Sequence, residues 1–193
     1  MKKKKQEKVN EGICDFFQSM SLKEASSALH EMIKCSQSKK QWKGGRKDGS
    51  PSDLLYFTEI LIRLTSNVYK LVSQGVQKPE VILKPSPWYV PDIDHKKNYC
   101  RSSDAEMAWD FFPRHLSVKE YHNPYYALIK FTNELRKKEW LFLYSEIQYY
   151  ALSRHSMGET SVDYKLYQVG GRLMKLLEAC HLIVIRSAKK KFR

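Results

Sequence analysis

Arginine and histidine occur side by side at two places in the chain, and this pair of residue types is suited to phosphodiester chemistry. Arg114 precedes His115, with His122 a short distance further on, and Arg154 precedes His155. A histidine can act as a general base toward a hydroxyl group, while an arginine stabilises the negative charge that develops around phosphorus. These five residues are the candidate catalytic residues.

Helical ribonucleases of the HEPN class place an arginine four to six residues before a histidine on one helix of a bundle. The spacing here is longer, because seven residues separate Arg114 from His122 and eight separate Arg172 from His181. The pattern is not met. A HEPN-like ribonuclease, or another phosphodiester enzyme that uses the same residues, is therefore the alternative interpretation of the chain.

Two further groups contain residue types that bind metals. Glu178 and His181 have the Glu-x-x-His spacing of di-iron helical bundles, but those sites need a second such motif, which the chain lacks. We expect His181 to be a histidine at the edge of the core, hydrogen-bonded to a neighbour. Asp92, Asp94 and His95 lie in a proline-rich stretch without the supporting contacts that metal ligands need. The sequence predicts no metal and no cofactor.

The net charge of +13 is concentrated in three segments. Residues 1–9 carry +4, residues 39–48 carry +4 and residues 186–193 carry +5, so the rest of the chain is neutral. Mobile lysines attract polyanions without reading sequence, although charged termini can also serve solubility alone. Trp42 lies in the central basic segment, and an indole can stack on a base. The residues that we expect to contact nucleic acid are Lys39, Lys40, Lys43, Arg46, Lys47, Lys189, Lys190 and Lys191.

Hydrophobic spacing predicts an all-α protein, a bundle of about five to seven helices. The 193 residues include only 8 glycines and 7 prolines, few for a β protein with many tight turns. Ser21 and Glu24 have the spacing of a capping box at the start of one helix. Ser52 or Asp53 is expected to cap a longer helix that ends near Gly75.

Helical patterns resume in the second half of the chain. Ser103 and Glu106 form another predicted capping box, and Asn123-Pro124 combines a cap with a proline in the first turn. The last helix is predicted to begin near residues 160–163 and to run to Arg186. Its apolar residues occupy more than one face, so it should be the most buried helix.

The predicted organisation is one compact domain with two helical halves. Its segments are a basic disordered tail (1–12), an N-terminal helical hairpin (13–75), a proline-rich connector (76–100), a C-terminal helical half (101–186) and a basic tail (187–193). The stretches that begin at Asp15 and Asp110 both start Asp-Phe-Phe, and a second register aligns whole helices. Two pseudo-repeated hairpins are one interpretation, and chance resemblance between amphipathic helices is the other.

The favoured function is a non-enzymatic, intracellular interaction or regulatory module. The four cysteines lack metal-type spacing and no apolar run could span a bilayer, so we expect a cytoplasmic protein without a membrane span. Six tyrosines lie between residues 121 and 150, too many to bury with every hydroxyl satisfied. Some should reach the surface and contact a protein partner or a second copy of the chain, while nucleic acid is expected as a sequence-independent ligand.

Overall fold

A computed structural model describes residues 12–42, 50–75, 113–157 and 166–190, with side chains of the last stretch described from 168 to 187. These residues form seven helices and no strand, which confirms the predicted all-α class. The helices are α1 (12–19), α2 (Leu22–Ser36), α3 (Pro51–Ser73), α4 (Val118–His122), α5 (Tyr125–Glu134), α6 (Lys137–Leu152) and α7 (Leu166–Lys190). In the described ranges, no helix has the length and apolar character needed to cross a membrane.

Several predicted features lie outside the described residues. They are the basic tail before residue 12, the connector 76–100 with Asp92, Asp94 and His95, the capping box of Ser103 and Glu106, and the start of the last helix at 160–163. α1 was not predicted, because we placed the first helix start at Ser21.

The long N-terminal helices begin where side chains bond to otherwise free backbone N–H groups. The Ser21 N–H donates to Glu24 at 2.9 Å and the Glu24 N–H donates to Ser21 Oγ at 3.2 Å, which confirms the predicted capping box of α2. α3 begins two or three residues earlier than predicted, because the predicted cap was Ser52 or Asp53. Ser50 is its N-cap, Pro51 is its first helical residue, and the Ser50 N–H donates to Asp53 at 2.8 Å. Proline is tolerated there because the first helical N–H has no partner within the helix.

The junction between α4 and α5 differs from the prediction that Asn123 caps a helix. Pro124 occupies the N-cap position of α5, and the main-chain oxygen of Asn123 accepts the N–H of Tyr126 at 3.0 Å. The side-chain Oδ1 of Asn123 is buried and has no hydrogen-bond partner among the described residues. The backbone of Asn123, rather than its side chain, therefore serves the start of α5.

Contacts between helices mix the two predicted halves into one core. α2 packs mainly against α6 and α7, α3 against α6 and α5, and α5 against α7. The hydroxyls of Thr65 on α3 and Tyr144 on α6 share a buried hydrogen bond of 2.7 Å, and the Tyr69 hydroxyl donates to the Leu135 carbonyl just before α6. In these two contacts the residue number increases on α3 while it decreases toward the start of α6, so the two helices are antiparallel.

Four helix termini lie at one end of the bundle. A Cβ added at Gly170, near the start of α7, would lie 2.9 Å from Ile33 Cδ1, near the end of α2. The Trp42 N–H donates to the carbonyl of Ala151, near the end of α6, at 2.8 Å. Since α3 is antiparallel to α6, α3 begins at this end as well.

α7 is buried on more than one face, as predicted. Its buried residues are Val169, Leu173, Leu176, Leu177, Glu178, Ala179, Cys180, Leu182 and Ile183. The helix continues to Lys190, four residues beyond the predicted end at Arg186 and into the segment predicted as a basic tail.

Candidate functional site

The beginning of the central basic segment is fixed to the end of α6. Gln41 Nε2 donates to the carbonyl of Leu152 at 3.2 Å, and the Trp42 N–H donates to the carbonyl of Ala151 at 2.8 Å. The last carbonyls of a helix have no partner within the helix, and these two bonds satisfy two of them. The chain after α2 is therefore held against the end of α6.

This anchoring brings two groups of predicted residues to the same end of the bundle. Lys39 and Lys40 come just before the anchored residues, and Arg154 and His155 come just after α6 ends. All four side chains are exposed. Since neighbouring Cα atoms are only about 3.8 Å apart, a few residues of chain cannot carry either pair far from the anchor.

Two exposed tyrosines stand at this end of the bundle. Tyr149, in the last turn of α6, is 61% exposed, and Tyr56, in the second turn of α3, is 51% exposed. The hydrogen bond between Thr65 and Tyr144 sets the register of the two helices. Counting back from Thr65 and forward from Tyr144 by the same number of residues places Tyr56 level with Ser153.

We define the basic end by the exposed side chains of Lys39, Lys40 and Arg154. It combines three cations from two distant parts of the sequence. Acidic side chains on the same parts of α2 and α3 are already engaged, since Glu31 lies 3.9 Å from Lys34 and Asp53 caps α3. The basic end thus offers positive charge. Tyr56 and Tyr149 do not form one aromatic surface, because Tyr56 faces the opposite side of α3 from Thr65 and Tyr149 faces away from Tyr144, so the two side chains point away from each other.

Trp42 does not belong to the basic end. Its side chain is only 6% exposed and packs in the main hydrophobic core. The prediction that its indole stacks on a base was therefore wrong. The local sequence does not show whether a tryptophan in a basic stretch faces solvent or the core. The hydrogen bond from the Trp42 N–H to the Ala151 carbonyl holds this tryptophan at the core.

The other predicted nucleic-acid residues cannot be located as side chains. Lys43, Arg46, Lys47 and Lys191 lie outside the described residues. Lys189 and Lys190 belong to the last turn of α7, where only the backbone is described.

The first arginine–histidine pair is bound to a buried carboxylate. Glu178 on α7, with its side chain 4% exposed, accepts the N–H groups of Arg114 and His115 at 2.8 Å each and that of Leu116 at 3.1 Å. Glu178 Oε1 also lies 2.8 Å from His115 Nδ1. Four donors on one carboxylate hold the segment before α4 against α7.

The contact with Glu178 fixes the imidazole of His115. A carboxylate can only accept, so the neutral imidazole carries its proton on Nδ1 and keeps its lone pair on Nε2. The His115 side chain remains partly exposed. A carboxylate-oriented histidine with a free Nε2 is the arrangement found in general bases.

A second buried carboxylate, Glu120, holds α4 between α5 and α7. Lys130 Nζ and Lys175 Nζ each lie 3.0 Å from a Glu120 oxygen, and the Ser117 N–H donates to Glu120 at 2.9 Å. Burial alone raises the pKa of Glu120, but the Ser117 N–H and the two ammonium groups outweigh it and lower the pKa to about 2. Glu120 is therefore an ionised structural anchor.

The remaining histidines of the C-terminal half lie in structural environments. Nδ1 of His122 and of His181 is buried and has no hydrogen-bond partner in the described part of the chain, so the predicted neighbour of His181 is not seen. The His181 ring lies against Phe17, with centroids 5.1 Å apart, and burial lowers its pKa to about 4. Arg186 donates to the carbonyls of Tyr121 at 2.8 Å and His122 at 3.3 Å, so it meets the backbone of His122.

Both residues of the Glu-x-x-His pair make other contacts. Glu178 is occupied by donors from residues 114–116, and His181 packs on the Phe17 ring. In the residues that the structure describes, no group of three or more histidine, cysteine, aspartate or glutamate side chains could hold a metal ion.

The candidate catalytic residues form two separate surfaces. The first pair contacts α7 at Glu178, whereas the second pair lies at the end of the bundle where Gly170 meets α2. The rise along α7 from Gly170 to Glu178 is about 12 Å. Sequence spacing missed Glu178 as the partner of His115, because we considered it only as a metal ligand beside His181.

Comparison of the chain with protein-family models, with curated proteins and with solved structures gave no match. The geometry of the basic end and of the His115–Glu178 pair therefore carries the functional argument alone.

Proposed function

We propose that this protein is a non-enzymatic, cytoplasmic interaction module that contacts nucleic acid without reading its sequence. The observation that supports this most is the anchoring of residues 41–42 to the end of α6. It brings the exposed residues Lys39, Lys40 and Arg154 to the same end of the bundle, although they are far apart in the sequence. Lysine and arginine at a phosphate backbone release counterions, so the affinity should fall steeply as salt rises.

The sequence adds further positive charge next to these residues. The chain runs from Trp42 directly into Lys43, Arg46 and Lys47, which belong to the same proposal although they lie outside the described residues.

A protein partner, or a second copy of the chain, is a further part of this proposal. Phe142 and Tyr149 lie two helical turns apart on the solvent side of α6, while the opposite side of α6 is buried in the core. Exposed aromatic residues often supply much of the binding energy of protein interfaces. Sedimentation velocity distinguishes the two, because a second copy makes the measured mass depend on concentration.

The test of nucleic-acid contact compares the salt dependence of binding for the natural protein and for a triple variant, Lys39→Gln, Lys40→Gln and Arg154→Gln. Each lost phosphate contact lowers the slope of log affinity against log salt by about 0.7 for a single strand and about 0.9 for a duplex. Three lost contacts should therefore lower the slope by roughly 2 to 3.

The matched control removes three exposed lysines at the opposite end of α3 and α6, with Lys70→Gln, Lys137→Gln and Lys138→Gln. It removes the same charge, and its salt slope should stay close to that of the natural protein. An equal fall in both variants would show attraction to overall charge and contradict a site at the basic end. Absence of binding at low salt would make the net charge of +13 a solubility feature.

One observation favours a second candidate function, phosphodiester cleavage with His115 as general base. Glu178 orients the imidazole at 2.8 Å, and Arg114 precedes it in the chain. The oligonucleotides recovered from the binding assay decide between the two functions. Cleavage that His115→Ala abolishes and His155→Ala leaves intact would favour the enzyme, whereas uncut oligonucleotides would retain the non-enzymatic function.

A further inference from the structure

The imidazole of His115 is held at one nitrogen and open to solvent on its other side. Glu178 Oε1 lies 2.8 Å from His115 Nδ1, and the side chains of His115 and Glu178 are 41% and 4% exposed. Because Nδ1 faces the buried carboxylate, the exposed part of the ring is the part that carries Nε2. The carboxylate accepts the Nδ1 proton, so Nε2 keeps a lone pair that can attack an electrophile.

The main chain around His115 fixes the position of this carboxylate. The N–H groups of Arg114 and His115 donate to Glu178 at 2.8 Å each, and that of Leu116 donates at 3.1 Å. Glu178 cannot follow a rotation of the imidazole without losing these three bonds. The fold therefore gives Nδ1 a partner at a fixed position, and the orientation of the ring is set by that partner.

Glu178 can also stabilise the charge that the imidazole gains when it acts as a nucleophile. Once Nε2 bonds to an electrophile, the ring becomes a cation that still carries its proton on Nδ1. A hydrogen bond between two ionised groups is stronger than one between neutral groups, so the contact with Glu178 strengthens as the bond forms. Glu178 lies on the Nδ1 side and is buried, so its negative charge does not face a group that approaches Nε2.

From these observations we propose that His115 is a phosphoryl-accepting residue, with Nε2 as the nucleophile and Glu178 as the positioning residue. This inference goes beyond the proposed function, because acceptance of a phosphoryl group requires no nucleic acid. The net charge of +13 and the exposed Arg114, which precedes His115 in the chain, favour an anionic electrophile over a neutral one.

The donor class is a phosphoramidate, in which phosphorus is bonded to nitrogen. Nε2 uses its lone pair to form a bond to phosphorus, the P–N bond of the donor breaks, and the leaving nitrogen takes the electron pair of that bond. In inorganic phosphoramidate this nitrogen is already fully protonated, so ammonia leaves without a proton transfer. The His115 Nδ1 proton stays in its hydrogen bond with Glu178 throughout.

The experiment treats the natural, folded protein with inorganic phosphoramidate at neutral pH and follows each histidine by peptide mass spectrometry. His30 on α2 is the reference within the same molecule, because it is exposed and bonds to no carboxylate among the described residues. His115 should react roughly tenfold faster than His30, since the charge-assisted hydrogen bond stabilises the developing cation. Phosphorus NMR should place the phosphoryl group on Nε2.

Two controls separate the contact with Glu178 from other causes of reactivity. In urea the difference between His115 and His30 should disappear, because unfolding removes the contact. This control needs no variant, so the instability expected of Glu178→Gln does not affect it. His115→Gln should remove the fast reaction and leave the reaction of His30 unchanged, with circular dichroism confirming that the variant is folded.

Three results would overturn this inference. The first is a rate at His115 that is no higher than the rate at His30 in the folded protein. The second is a preference for His115 that persists in urea, since it would come from the local sequence and not from Glu178. The third is a phosphoryl group on Nδ1, the nitrogen that the carboxylate should protect. None of these results bears on the proposed function, which is tested by the salt dependence of oligonucleotide binding.

Discussion

Replacing Glu120 by glutamine should destabilise the protein in a way that depends on pH. The Glu120 side chain is 2% exposed and accepts hydrogen bonds from Lys130, from Lys175 and from the Ser117 N–H. Burial raises its pKa, but these donors outweigh burial and lower the pKa from 4.5 to about 2. Because the folded state has the lower pKa, the ionised carboxylate stabilises the fold fully above pH 4.5. That stabilisation is lost as the pH falls through 2.

The size of the effect follows from the two pKa values. A pKa difference of one unit corresponds to about 1.4 kcal/mol, so a fall from 4.5 to about 2 gives about 3 kcal/mol at pH 7. With the same pKa values, about 1 kcal/mol of this stabilisation remains at pH 3. Lys130 and Lys175 have side chains 63% and 39% exposed, so water can solvate both ammonium groups once the carboxylate is gone.

The assay is urea unfolding at pH 7 and at pH 3, followed by circular dichroism. Glu120→Gln should lower the free energy of unfolding by about 3 kcal/mol at pH 7. At pH 3 the decrease should be about 2 kcal/mol smaller. The control is Glu59→Gln, which removes an exposed ion pair with Arg63 and should cost less than about 1 kcal/mol. A cost for Glu120→Gln that is equal at both pH values, or as small as that of the control, would refute this reasoning.

Three further substitutions test the packing on α7. Glu178→Gln places an amide NH₂ among three backbone donors and should lower the free energy of unfolding by about 3 kcal/mol. The melting temperature should fall by roughly 6–12 °C. A fall no larger than that of Glu59→Gln would refute this prediction. Gly171→Ala should stabilise the protein by about 0.5–1 kcal/mol in urea unfolding, because nothing lies within 4 Å of the added Cβ. Gly170→Ala should gain less, since its Cβ would meet Ile33 at 2.9 Å, and the reverse order would contradict the contact of α7 with α2.

Local patterns in the sequence predicted much of the helical structure. The capping box of Ser21 and Glu24 depends on residues three apart, and the apolar stripes of α2, α3 and α6 depend on the helical period, so both are readable without a tertiary structure. The cap of α3 was placed at Ser52 or Asp53, two or three residues late, because Ser50, Ser52 and Asp53 are all residue types that cap helices. Pro51 resolves the choice, since it is favoured as the first helical residue.

Contacts between distant residues were not readable from spacing. Glu178 binds residues that precede it by 62 to 64 positions, and no periodic pattern links them. Trp42 was assigned to a solvent-facing basic loop, because its contact with Ala151 near the end of α6 depends on how α2 and α6 pack. The basic end itself was predicted only in part: Lys39 and Lys40 were expected to contact nucleic acid, whereas Arg154 was predicted only as a candidate catalytic residue. The duplication of a helical hairpin remains a prediction.

The central claim is that the chain contacts nucleic acid at the basic end. The most direct test is the salt dependence of oligonucleotide binding for three proteins: the natural one, the variant of Lys39, Lys40 and Arg154, and the control variant of Lys70, Lys137 and Lys138. The account predicts that the slope falls by roughly 2 to 3 in the first variant only. Equal slopes in all three proteins, or no binding by the natural protein at low salt, would contradict it.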